Sequence, residues 1–284
     1  MQKKRKMFKT YSYTPEEIQK RIQSILDNGK KNLDTQKIYR DILSFIDLTT
    51  LEGADTNEKA ANLAIQASNY FSAEKNIPNV AAVCIYPTLV KVVKDSLKDP
   101  NIGVASVAGA FPAGQSPIHI KVAEVKYAVA EGADDIDMVI SRGKFLEGKY
   151  QEVQDEVQAI KNACGNAHLK VILETGELKT VENIRKASEL GILGGGDFIK
   201  TSTGKIPVAA TLEAMLVMLD TIKEYHAKTG KKIGIKPAGG ISEPDVAIDY
   251  YLLVKEVLGE EWLNNKLFRI GASRLANKVF DLIK

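Results

Sequence analysis

The sequence predicts an α/β fold, a (β/α)8 barrel of the TIM type with an N-terminal helical extension. Three observations predict it. Eight short β-branched or apolar runs alternate with eight amphipathic stretches, which implies parallel strands joined by helical crossovers. The chain has 284 residues, and a barrel of about 250 residues forms one domain. The first run ends in Asp47-Leu48-Thr49-Thr50, with no G-x-G-x-x-G turn. That disfavours the rival, an open doubly wound sheet with its glycine-rich fingerprint.

The elements follow in order. Thr14-Pro15-Glu16-Glu17 reads as an N-cap, a proline at the first helical position and a capping glutamate. Ile18, Ile22 and Ile25 continue with helical spacing, and Asn28-Gly29 ends the helix. A second short helix is expected from Thr35 to Leu43. Residues 1–39 thus form a basic tail and N-terminal helices ahead of a barrel domain at 40–284. Strands are expected at 44–48, 81–86, 104–107, 135–140, 168–173, 197–201, 232–236 and 267–270. Helices are expected at 57–72, 88–98, 118–131, 148–164, 181–190, 211–228, 243–258 and 274–283. Leu212, Met215, Leu216 and Leu219 form a helical stripe, so Met215 and Met218 read as core.

Composition excludes several classes. Hydrophobic residues make up 44% and charged residues 26%, ordinary for a globular protein that buries a large core. The two cysteines, Cys84 and Cys164, rule out a disulfide framework and suggest a reducing compartment, the cytoplasm. No apolar run reaches the roughly 18 residues of a membrane span. The net charge is +3, but Lys3, Lys4, Arg5, Lys6 and Lys9 lie in the first ten residues, and the rest carries 34 basic against 36 acidic residues. The basic start reads as a solvated terminus rather than a polyanion-binding patch. It has no apolar h-region behind it, so it is not a secretory signal.

Chemistry concentrates where the strands end. Asp47, Asp137, Lys170, Lys200, Lys236 and Arg269 interrupt hydrophobic strands near their C-terminal ends, and Cys84 holds the equivalent place on the second strand. A buried charge is costly unless paired. One such residue, Lys170 for instance, reads as an ion-pair partner lining the core. Six converging at the catalytic end of a barrel read as a site. An ε-amine attacks a carbonyl only when unprotonated, and desolvation or a neighbouring cation favours that form. Lys200 and Lys236 end adjacent strands and can repel each other, and an aspartate beside them can move protons. The set suits Schiff-base chemistry on a carbonyl.

The last three loops supply an anion grip. Thr201-Ser202-Thr203-Gly204-Lys205, Pro237-Ala238-Gly239-Gly240 and Gly271-Ala272-Ser273 each follow a strand. Glycines let backbone N–H groups approach an anion, and barrels often bind phosphate in these loops. His119, His168 and His226 are scattered without metal-ligand spacing. His226 is expected on the surface, and His168 at the far end of the fifth strand. Neither a metal nor another cofactor is expected.

These motifs resemble deoxyribose-phosphate aldolases. The likeness runs in order from about residue 40 to about 275. It rests on Asp47–Leu51, Ala82–Pro87, Phe111-Pro112-Ala113-Gly114-Gln115, Asp135-Ile136-Asp137, Leu169–Leu178, Lys236–Gly240, Phe268–Ser273 and, most specifically, Asp197-Phe198-Ile199-Lys200-Thr201-Ser202-Thr203-Gly204-Lys205. The resemblance implies a metal-free class I aldolase on a TIM barrel. It would reversibly cleave 2-deoxy-D-ribose 5-phosphate to acetaldehyde and D-glyceraldehyde 3-phosphate. It places the Schiff-base lysine at Lys200 and the proton-transfer pair at Asp137 and Lys236. It puts Asp47, Cys84, Lys170 and Thr203 in the substrate pocket, and Gly204, Lys205, Gly239, Gly240, Gly271 and Ser273 on the phosphate. Ile241-Ser242 stands where many members carry an arginine. The chain ends in Asp281-Leu282-Ile283-Lys284, without the tail tyrosine that some members place over the site.

The expected partner is a small sugar phosphate, with no nucleic acid and no membrane, and a homodimer is an open expectation. Two alternatives are weighed. One is a Schiff-base aldolase or transaldolase-like enzyme acting on another sugar phosphate. The other is a non-catalytic phosphate- or nucleic-acid-binding protein that uses the basic start, which the acidic body disfavours.

Overall fold

The computed structural model describes residues 7–284. The basic run at 3–6 lies outside the described residues. Two helices lead, α1 (Pro15–Gly29) and α2 (Thr35–Phe45). Eight parallel strands follow: β1 (Ile46–Thr49), β2 (Ala82–Ile85), β3 (Gly103–Ala108), β4 (Asp135–Val139), β5 (His168–Ile172), β6 (Phe198–Lys200), β7 (Gly234–Lys236) and β8 (Ile270–Ala272). They form one sheet in the order β7-β6-β5-β4-β3-β2-β1-β8. Parallel bridges Ile235↔Phe268 and Ala238↔Gly271 bring the two ends of the sheet together. The expected α/β barrel is the fold observed.

Period-two alternation gives each strand two different faces. The outward residues Val83, Ile85, Ile136, Met138, Leu169, Val171, Ile199 and Ile235 join the surrounding helices in one apolar core. Met215 and Met218 are fully buried in it. Inside the barrel a second, small cluster holds Leu51, Ala82, Cys84, Ala105 and Val107. Barrels usually fill this space with layers of Val, Ile and Leu. Here small residues leave room for charges.

The α1 capping box forms as its sequence predicts: Glu17 N donates to Thr14 Oγ1 at 3.3 Å, and Thr14 N to Glu17 Oε2 at 2.8 Å. Arg21 pairs with Asp220 through two bonds of 2.6 and 2.9 Å, tying α1 to the Leu212–Thr229 helix. Ile18, Ile22, Ile38 and Ile42 are buried in the main core. The 39/40 division falls inside α2.

The structure corrects several boundaries. Ser44 and Phe45 belong to α2, so β1 starts later than expected. The last strand is Ile270–Ala272, not 267–270. Leu267 to Arg269 run beside β7, but pairing with β1 starts only at Ile270. Gly271 and Ala272 are therefore strand residues, and Arg269 precedes its strand instead of ending it. Two short helices, Arg142–Leu146 and Thr175–Leu178, have no counterpart in the sequence pattern. Both are too short to show a period.

Candidate active site

The inward positions of five strands, with one residue just before β8, build a column of charge. Asp135 and Asp137 lie two apart on β4 and so share a face. Asp47 comes from β1, Lys170 from β5, Lys200 from β6, Lys236 from β7, and Arg269 from just before β8. Lys200 and Lys236 are register partners. Lys200 Nζ and Lys236 Nζ each lie 2.7 Å from the same oxygen, Asp137 Oδ2. Lys236 Nζ also contacts Asp47 Oδ2. Lys170 Nζ lies 2.6 Å from Asp135 and 3.4 Å from Asp137. Arg269 Nη1 pairs with Asp47 at 2.7 Å and Asp135 at 3.3 Å. His168, at the opposite end of β5 and largely exposed, sets Nδ1 3.1 Å from Asp135.

Burial alone would raise the three carboxyls. The cations outweigh it and hold all three below the ordinary carboxylate range. Lys236, Arg269 and Lys170 act on Asp47, and Lys170, the His168 hydrogen bond and Arg269 act on Asp135. Asp137 is held well below that range by Lys200, Lys236 and Lys170. Burial opposes the charge on Lys236, but Asp137 and Asp47 hold its ammonium above the ordinary lysine range. The Cys84 thiol, facing the same charges, is pushed up by burial and stays protonated. Every column carboxylate thus has a cationic partner within hydrogen-bond range.

Above the column opens a cavity of about 520 Å3, lined by Lys200, Thr203, Gly204, Lys205, Gly239, Gly240, Gly271 and Ser273 together with Thr50, Ser242 and Arg274. All six residues expected at the phosphate meet there, although the chain separates their extremes widely. Asp137 and Lys236 do not line the cavity. They reach Lys200 from within the barrel. Asp47, Cys84 and Lys170 are fully buried in the interior, whereas Thr203 lies at the cavity wall. Two glycines are fixed by space. Gly239 has φ +83°, and a Cβ there would meet the Ala209 Cβ at 2.5 Å. A Cβ on Gly271 would sit 2.8 Å from the Ala238 Cβ, so Gly271 serves barrel closure as well as the cavity.

Sequence reasoning missed four contributors. Asp135 shares a face with Asp137, so the period-two rule could have found it. Arg274 follows Ser273 in lining the cavity, together with Ser242 and the buried Ile241. Arg142 and Glu174 meet across two loops at 3.2 Å, a contact that no local pattern announces. Among the described residues no group of three or more His, Cys, Asp or Glu side chains is arranged to hold a metal ion.

Comparison with known proteins agrees with this geometry. The sequence model of DeoC/LacD family aldolases matches residues 42–248. The chain is 46% identical over 248 residues to the human deoxyribose-phosphate aldolase, covering 84% of this chain and 78% of that one. It is 51% identical over 247 residues to a Caenorhabditis elegans protein, covering 86% and 81% of the two chains. Among solved structures, the tetrameric deoxyribose phosphate aldolase of Aeropyrum pernix superposes with a TM-score of 0.65 at 26% identity, covering 95% of this chain and 97% of that one. A lysine at the mouth of a charged barrel, a cavity walled by glycine and hydroxyl loops above it and these likenesses place the chain in one group: it belongs to the DeoC/LacD family of aldolases.

Proposed function

We propose that this chain is a class I lyase that reversibly cleaves 2-deoxy-D-ribose 5-phosphate to D-glyceraldehyde 3-phosphate and acetaldehyde, a step of deoxyribose phosphate catabolism. One observation carries the reading: a single lysine, Lys200, joins the buried charge column to a cavity walled by three glycine and hydroxyl loops. The column holds three carboxylates against three ammonium groups and one guanidinium. Lys200 is the column lysine that meets the cavity.

The unprotonated Lys200 amine attacks C1 of the open-chain aldehyde. The carbinolamine loses water and becomes a protonated imine, which withdraws electrons from C2. Asp137, with Lys236 and a water between them, takes the C3 hydroxyl proton. The C2–C3 bond breaks, the C3 oxygen becomes the carbonyl of glyceraldehyde 3-phosphate, and the bonding pair forms an enamine. Protonation at C2 and hydrolysis release acetaldehyde and restore Lys200. Asp47, Lys170 and Cys84 hold the interior around these groups. Gly204, Lys205, Gly239, Gly240, Gly271 and Ser273 hold the phosphate, which orients the reacting carbons. No helix of the described residues is long and apolar enough to cross a membrane. Two buried free thiols suit a reducing compartment, the cytoplasm. The oligomeric state stays open, a homodimer being one assembly to test.

Borohydride reduction in the presence of substrate tests the reading. A two-carbon or sugar-phosphate adduct is expected on Lys200 by peptide mass spectrometry. An adduct on Lys170 or Lys236 alone would overturn the assignment. Donor aldehydes larger than acetaldehyde, compared by product analysis, separate this specificity from that of other Schiff-base aldolases.

A further inference from the structure

Outside the column, two side chains tie the mouth of the barrel together. Glu174 follows β5 in a loop, yet it is fully buried. Its backbone is left-handed, with φ 58° and ψ 59°, a conformation that a residue with a side chain keeps only where its surroundings impose it. Those surroundings are specific. Thr203 N donates to Glu174 Oε1 at 3.1 Å, and Thr203 Oγ1 donates to Oε2 at 2.5 Å. The hydroxyl's only proton goes to Glu174, so its lone pair is free to accept from Lys205 N at 3.1 Å. The Thr203-Gly204-Lys205 turn is thereby pinned at both ends.

Arg142, just after β4, holds Glu174 in turn. Its Nη1 lies 3.2 Å from Glu174 Oε2, and its Nε lies 2.7 Å from Glu177. The same guanidinium donates to the Pro112 and Ala113 carbonyls, each at 3.1 Å. One fork-shaped cation therefore joins the loops after β3, β4 and β5 and, through Glu174, the loop after β6. Neither residue lines the cavity. Arginine suits this role because its fork presents several donors in fixed directions.

We propose that Arg142 and Glu174 are positioning residues that hold the Thr203-Gly204-Lys205 turn ready for the phosphate, so that phosphate affinity depends on them while imine formation at Lys200 does not. The proposal rests on reading the cavity as a sugar-phosphate site. Without the carboxylate, a buried Thr203 N–H and hydroxyl lose their partners, and the turn must rearrange to satisfy them.

The test compares Arg142→Ala, Arg142→Lys and Glu174→Gln with the parent. It reads inhibition by inorganic phosphate, kcat/KM on deoxyribose 5-phosphate and on unphosphorylated deoxyribose, and the rate of borohydride trapping of acetaldehyde at Lys200. In Arg142→Ala, inorganic phosphate should bind about tenfold more weakly, the scale of one lost charge-assisted hydrogen bond. The kcat/KM ratio of the two sugars should fall in step, and trapping should keep its rate. Arg142→Lys should recover part of the loss, and Glu174→Gln, which keeps one acceptor for Thr203 but turns the other into an NH2 donor, should also weaken phosphate binding while trapping keeps its rate. Unchanged phosphate affinity, or trapping that falls in parallel with it, overturns the proposal. If Arg142→Ala does not fold, Glu174→Gln decides the proposal on the same readouts. A parent that fails to cleave deoxyribose 5-phosphate would instead overturn the functional reading, and inorganic phosphate would still report on the turn.

Discussion

Two ammonium groups share Asp137 Oδ2 at 2.7 Å, and the proposed chemistry turns on that atom. That sharing gives Asp137 and Lys236 separable roles. Lys236 keeps its charge, held by Asp137 and Asp47 against the cost of burial. As a permanent cation beside Lys200 it opposes a second positive charge there. Lys236→Leu should therefore lower kcat by roughly 10²-fold or more, the scale of a lost acid–base partner, and move the pH dependence of imine trapping upward. An unmoved pH profile would assign Lys236 a role other than that of the opposing cation. Asp137→Asn should keep imine trapping but slow proton transfer by roughly 10²–10⁴-fold. Loss of trapping in that variant would show that Asp137 acts before the imine rather than after it.

At the scale of elements, the loops after β6, β7 and β8 converge only because the barrel closes. Thr201 Oγ1 accepts from Ala238 N at 3.0 Å, linking the ends of β6 and β7. Gly271 N bonds to the Pro237 carbonyl at 3.0 Å, linking β7 to β8. On the proposed reading, Ser273→Asp places a carboxylate where the phosphate dianion would sit, and the two would repel. The ratio of kcat/KM for deoxyribose 5-phosphate to that for deoxyribose should fall at least about tenfold, or about 1.4 kcal/mol. An unchanged ratio would put the phosphate elsewhere. Much of this was legible in the sequence, for physical reasons. Strands buried on both faces read as apolar runs, so an ionisable residue such as Lys200 or Asp137 stands out against them. The edges of those runs were less legible. Leu267 to Arg269 are apolar enough for a strand, but strand identity there depends on where β1 offers partners, which is tertiary information. Arg142 and Glu174 were invisible for a related reason: an ion pair between the start of a one-turn helix and a loop residue has no period and no fixed spacing.

For the whole molecule, the column is a structural member besides its proposed part in catalysis. Asp47, Asp135 and Asp137 are held below the ordinary carboxylate range, so each contributes stability that is fully present above the unfolded value near pH 3.9 and lost as pH falls through the folded value. Lys236 is held above its ordinary range, so its contribution is present below about pH 10.4 and lost as pH rises beyond it. Removing one partner from a buried ion set typically costs about 3–5 kcal/mol. Asp135→Asn, which touches no cavity residue, should therefore melt well below the parent at pH 7, and the gap should narrow only below about pH 4. A gap that is already closed at pH 5 would show that the carboxylate is not held as the geometry requires. The seven charged side chains span the seam where β8 meets β1 and β7, and they reach across to β4. Selection can trade little here. A descendant of this chain can explore new acceptor sugars by altering the loops at the rim, each change tried on its own. Changing the reaction itself means replacing several interior charges together, since every single replacement leaves a weaker barrel. The rim is therefore where specificity can be altered one residue at a time, and the interior charges are where it cannot.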